Sequence, residues 1–144
     1  MNLKELLEEH DACKEARTWA MQYETLTEAW TVCERGDWML WLAAKANLCT
    51  RQELVFAACQ CARLALLYAK SNKVLECIET TEAWTRDEAT IDEVMRTRKA
   101  AAYAAYAAAD DAAYAAYAAA DAARKDTLKN CADLVRHLYK GLEV

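Results

Sequence analysis

The sequence predicts an all-α fold, and three observations carry that expectation. None of its 144 residues is proline, and only Gly36 and Gly141 are glycine. Those two residue types punctuate turn-rich β folds and phosphate-binding loops, so their scarcity argues against both. Alanine, the strongest helix former, fills 32 positions. Three Thr-x-x-Glu capping boxes, Thr25–Glu28, Thr50–Glu53 and Thr90–Glu93, each stand just ahead of a helical pattern. With 56% hydrophobic and 28% charged residues, the composition is that of a folded chain. Its length suits one domain, with a Trp- and Cys-rich bundle over 1–89 and a repeat helix plus C-terminal helix over 90–144. The expected architecture is a bundle of six or seven helices with one long Ala/Tyr-rich C-terminal helix.

Taken in order, the stretch 3–23 repeats Leu3, Leu6, Leu7, Cys13, Ala16 and Trp19 at helical spacing, with Asp11 placed to interrupt it as an N-cap. The Thr25 box opens 26–34. Arg35-Gly36-Asp37 reads as a C-cap glycine followed by an N-cap aspartate that opens 38–46. The Thr50 box opens 51–70, where only Gln60 and Arg63 are polar between Val55 and Tyr68. A helix apolar on nearly every side belongs among its neighbours. A further helix covers 73–84. The Thr90 box then starts the longest segment, 91–124, about 50 Å at 1.5 Å per residue. Asp126 and Thr127 are placed to kink or restart it before 128–140, and Gly141 suits a C-terminal cap.

Residues 101–122 read AAYAAYAAADD and then AAYAAYAAADA, two copies of an 11-residue unit. Eleven residues in three turns stay in phase with a straight helix. With Tyr103 at zero, Tyr106, Asp110, Tyr114, Tyr117 and Asp121 fall between about −60° and +20° at 100° per residue. The opposite side is alanine: Ala105, Ala109, Ala112, Ala116, Ala120 and Ala123. Tyrosine rings filling grooves of the chain's own bundle is one reading of the stripe. A self-association seam or a surface for a protein partner is the second, because tyrosine is enriched at recognition surfaces. Direct contact with a small ligand is the third.

Charge and chemistry narrow the function classes. Eighteen basic against 23 acidic residues give a net charge of −5, and no basic stripe marks a nucleic-acid binder. No apolar run reaches the 18 or so residues of a spanning helix, and the acidic, amphipathic segment 1–9 does not read as a targeting sequence. Seven cysteines (Cys13, Cys33, Cys49, Cys59, Cys61, Cys77 and Cys131) lack framework spacing and any C-x-x-C pair. They read as reduced small hydrophobes of a cytoplasmic protein. Cys59 and Cys61 point apart on a helix and cannot share a metal ion. His10, His137 and the single serine, Ser71, form no recognisable catalytic motif. The expectation is a non-enzyme with no catalytic residue, cofactor or metal.

Five tryptophans (Trp19, Trp30, Trp38, Trp41 and Trp84) are many for this length. Trp38 and Trp41 sit one turn apart beside Arg35, and Arg63 is set in an apolar helix. Arg35, Trp38, Trp41 and Arg63 therefore form a candidate pocket for a nucleotide-like anion, held by stacking and phosphate pairing. Tryptophans packed as core, with Arg63 reaching water or pairing with a core acid, is the plainer reading.

The blocks Asp11-Ala12-Cys13-Lys14-Glu15-Ala16, Cys33-Glu34-Arg35-Gly36-Asp37-Trp38-Met39-Leu40-Trp41-Leu42 and Ala57-Ala58-Cys59-Gln60-Cys61-Ala62-Arg63-Leu64-Ala65-Leu66 resemble a family of small bacterial and phage immunity proteins. Glu82-Ala83-Trp84, Asp87-Glu88-Ala89-Thr90 and the Ala-rich tail with periodic aromatics are similar to it too. The resemblance implies a protein that neutralises a toxin or immune effector by binding, and it brings no catalytic residues. A phage member would be a counter-defence protein. Such a protein would bind an effector or, as a homo-oligomer, sequester a small anionic nucleotide signal.

Overall fold

The computed structural model describes residues 3–66, 72–112 and 116–139, with the side chains of residues 65 and 103–124 outside that description. Every regular element among the described residues is an α-helix. In chain order these are α1 (Leu3–Glu9), α2 (Lys14–Ala20), α3 (Leu26–Val32), α4 (Gly36–Lys45), α5 (Arg51–Ala65), α6 (Asn72–Thr85), α7 (Ile91–Ala112) and α8 (Ala116–Leu138). The all-α expectation holds. The expected number, six or seven, is corrected to eight among the described residues.

The three capping boxes form as read. Thr25 and Thr50 accept from the N–H groups of Glu28 and Glu53, whose carboxylates reach back to the cap N–H groups. Thr90 and Glu93 repeat the exchange at the start of α7.

Helix ends account for the corrections. Asp11 does not cap a following helix; it ends α1. It adopts φ 53°, while the Ala12 N–H reaches back to the Leu7 carbonyl at 2.9 Å, a Schellman closure. The N-cap of α2 is Cys13, whose Sγ accepts from the Ala16 N–H at 3.4 Å. The stretch 3–23 is thus interrupted at Asp11 into two short helices, by the end of α1 rather than by a cap on α2. Gly36 is likewise no C-cap: it lies in the first turn of α4, where a Cβ would stand 2.5 Å from Cys131 Cβ and 2.8 Å from the Ala132 backbone nitrogen. The absence of a side chain lets α4 lie directly on α8. Asp37 falls inside α4 rather than at its N-cap. The expected break at Asp126–Thr127 does not occur, since α8 runs on through both residues. The expected continuous 91–124 helix is described as α7 and the first part of α8, with 113–115 outside the described residues, as is Gly141.

Helix α5 packs against α4, α6 and α8, α6 against α7, and α4 against α8. Ala57 and Cys59 of α5 are buried, as its apolar pattern predicts, although Ala58 faces water. One core cluster joins Leu3, Leu7, Ala12, Ala20, Ala29 and Leu42; a second joins Cys33, Met39, Ala132 and Val135. Trp19 and Trp30 pack against both. A further tie is Arg136 of α8. Its guanidinium donates to the carbonyls of Trp30 (3.0 Å) and Cys33 (2.6 Å), and to Asp133 (2.6 Å). Those carbonyls belong to the end of α3, where unpaired acceptors await a cation.

Candidate functional site

Between the two clusters lies a cleft of about 370 Å³, within the range of small-ligand sites. Four tryptophans, Trp19, Trp30, Trp38 and Trp41, stand on its walls. The short helices α2 and α3 bring the first two. Helix α4 brings the others, three residues apart and therefore neighbours on one face. Trp19 also meets Trp38 with ring centroids 5.8 Å apart and planes tilted by 58°. Leucines, alanines and Met39 complete the apolar lining. Its ionisable groups are Asp11, Asp37 and the thiols of Cys13 and Cys33; no lysine, arginine or histidine among the described residues lines it.

The sequence-predicted pocket is thus only partly assembled. Trp38 and Trp41 share the cleft, but neither Arg35 nor Arg63 lines it. Arg35 lies over the Trp38 ring, its guanidinium carbon 4.3 Å from the centroid. That guanidinium is held by Asp37 through two bonds of 2.9 and 2.8 Å and by Glu15 at 3.4 Å. The Arg35 hydrogen bonds hold the Asp37 carboxyl below the usual carboxylate range, against the opposing effect of burial. Asp37 therefore stays ionised at neutral pH.

Arg63 lies on α5 and pairs with Glu82 of α6. Its Nε and Nη2 donate to the two carboxylate oxygens at 2.6 Å each, and Gln60 adds a bond of 2.8 Å. The pairing with a core acid is the reading the geometry follows. Sequence reasoning missed Glu82 itself. No sequence signal sets it apart from Glu76 and Glu79 on the same helix. It also missed Asp11 as a cleft residue and Arg136 as a tie.

Of the tyrosine stripe, Tyr114 lies outside the described residues. The side chains of Tyr103, Tyr106, Asp110, Tyr117 and Asp121 lie outside the description as well. Carried back along α7 by the same 100° step, the stripe passes through Asp92, Arg96 and Lys99, with Met95 about 20° beyond its edge. All four are exposed, Met95 by 52%.

The thiols are protonated at neutral pH wherever a shift is resolved. Burial pushes Cys33 and Cys131 up, Cys59 to about 11 and Cys61 to about 12. Of the histidines, His137 is exposed and His10 half-buried. Among the described residues no three His, Cys, Asp or Glu side chains converge as a metal-binding group, and no helix is long and apolar enough to cross a membrane.

Fold and site together define an all-α protein with an acid-rimmed, tryptophan-walled cleft. No protein-family model, curated protein or solved structure matches the chain.

Proposed function

We propose that this chain is a non-catalytic immunity or counter-defence protein that neutralises a toxin or immune effector by binding it. The supporting observation is the exposed face of α7. Met95 (52% exposed) and Ile91 (49%) stand one turn apart beside Arg96, Arg98 and Lys99. Large apolar side chains among charges are a common feature of recognition surfaces. Arg96 and Lys99 lie on the angular stripe that continues into the tyrosine repeat, with Met95 just beyond its edge. The resemblance in the Cys33–Leu42 and Ala57–Leu66 blocks points to the same class. Sequestration of a nucleotide-like anion is less well supported, since Arg35 and Arg63 are both engaged by carboxylates.

The test begins with the native protein captured from cells together with what it binds. The captured protein is expected to arrest growth when expressed alone, and co-expression of the wild-type chain restores growth. Met95→Glu, an exposed change that leaves the fold intact, is expected to weaken capture about tenfold, as for an interface anchor. A captured protein without toxicity rules out the neutralising role. Undiminished capture by Met95→Glu rules out this face.

A further inference from the structure

The tryptophan cleft is independent of the α7 face, and its chemistry is specific. Aromatic walls attract cations through the negative faces of their rings, and Trp is the strongest of the three aromatic residues in this. The protein already uses its indoles this way. Arg35 sits 4.3 Å above Trp38 and Arg51 5.6 Å from the Trp84 centroid. The Arg35 guanidinium does not line the cleft but covers one face of Trp38, which leaves Trp19, Trp30 and Trp41 for something else.

Charge complementarity then selects the occupant. The carboxylates at the cleft are Asp11 and Asp37, with no basic side chain among the described residues to meet an anion there. Asp37 is paired with Arg35. Asp11 has no ion pair among the described residues, and its left-handed backbone at the end of α1 sets it at the cleft. The first 50 residues carry nine acids against five bases, so the long-range field has the same sign as the local one. An anion would be repelled, and a neutral apolar body would leave the Asp11 charge unused.

We propose that this cleft binds a small organic cation, an ammonium group carried on an aromatic or aliphatic body. The apolar body lies among the tryptophans, and the ammonium lies over an indole face on the Asp11 side. A volume of about 370 Å³ accepts a molecule of that kind.

Three probes that each carry a tetrahedral head on a phenyl ring separate the terms: phenyltrimethylammonium chloride, sodium benzenesulfonate and 2-phenyl-2-propanol. Each is titrated calorimetrically into the full chain. The cation is expected to bind saturably in the millimolar range or tighter, the neutral probe more weakly, and the anion not at all. Asp11→Asn keeps a side chain suited to the left-handed backbone. It is expected to weaken cation binding about threefold while leaving the neutral probe unchanged. Trp41→Leu keeps an apolar wall and is expected to weaken the cation about tenfold. Circular dichroism is expected to show native helix content in both variants. The proposal is overturned by benzenesulfonate binding as tightly as the cation, by no saturable cation binding, or by a cation-to-neutral preference untouched in both variants.

Discussion

Glu82 carries its charge on a side chain only 10% exposed, which is costly unless every lone pair finds a donor. Three donors meet it: two from the Arg63 fork and one from Gln60. The Arg63 hydrogen bonds outweigh burial and hold the Glu82 carboxyl below its ordinary value of 4.5. The unfolded chain therefore binds more protons than the folded one in that interval, and stability rises with pH there. Arg63→Met is expected to lower the unfolding free energy by about 2 kcal/mol at pH 7. That is below the usual figure for a broken buried pair, because Arg63 itself reaches water. The loss should be fully present above pH 4.5 and shrink as pH falls through the lowered folded value. Urea unfolding across that range checks both size and sign. The need for a partner at Arg63 is legible in the sequence; the partner is not. Glu76, Glu79 and Glu82 look alike on α6, and only the packing of α6 on α5 turns the third inward.

Helix α4 shows how a chain so poor in glycine ends its helices. Asn47 adopts φ 51°, and the Leu48 N–H closes back onto the Ala43 carbonyl at 3.0 Å. Asp11 after α1 and Asp87 after α6, at φ 53° and 59°, close the same way, onto Leu7 and Ala83. Left-handed backbone costs an ordinary L-residue roughly 1–2 kcal/mol, and Asn and Asp bear it best after glycine. Asn47→Ala is expected to destabilise by about 1 kcal/mol, while Asn47→Gly should be neutral or stabilising. Equal loss in both would mean that the side chain, not the backbone, matters at this position. The starts of α3, α5 and α7 were legible because a capping box is a local pattern of two side chains and two N–H groups. These stops were not. An aspartate before a helical stretch reads as an N-cap, and whether it ends one helix or begins the next depends on a backbone angle. Gly36 misled for a related reason: its task is a close approach to Cys131 and Ala132, about a hundred residues further on.

The whole molecule divides unevenly. Helices α5 to α8 have 14 to 23 residues each, whereas α1, α2 and α3 have seven each. Helices that short have almost no intrinsic stability, so α1–α3 depend on the tryptophans of the cleft and on the Arg136 tie. The cleft was illegible from sequence for that reason: its walls come from distant segments, and pairing Trp38 with Arg63 by chemical type joined residues that packing keeps apart. Uneven support implies uneven opening, and the cysteines report it. Cys13 is exposed, Cys33 is buried at the end of α3, and Cys59 and Cys131 are buried in the longer helices. Burial keeps the last three thiols protonated, so alkylation must wait for exposure. Under native conditions at pH 7.5, iodoacetamide is expected to modify Cys13 first, Cys33 distinctly later, and Cys59 and Cys131 last, read by peptide mass spectrometry. Arg136→Met should quicken Cys33 without a matching change at Cys59. Cys33 and Cys59 reacting at one rate, in wild type and variant alike, would mean that α1–α3 leave only when the entire bundle unfolds.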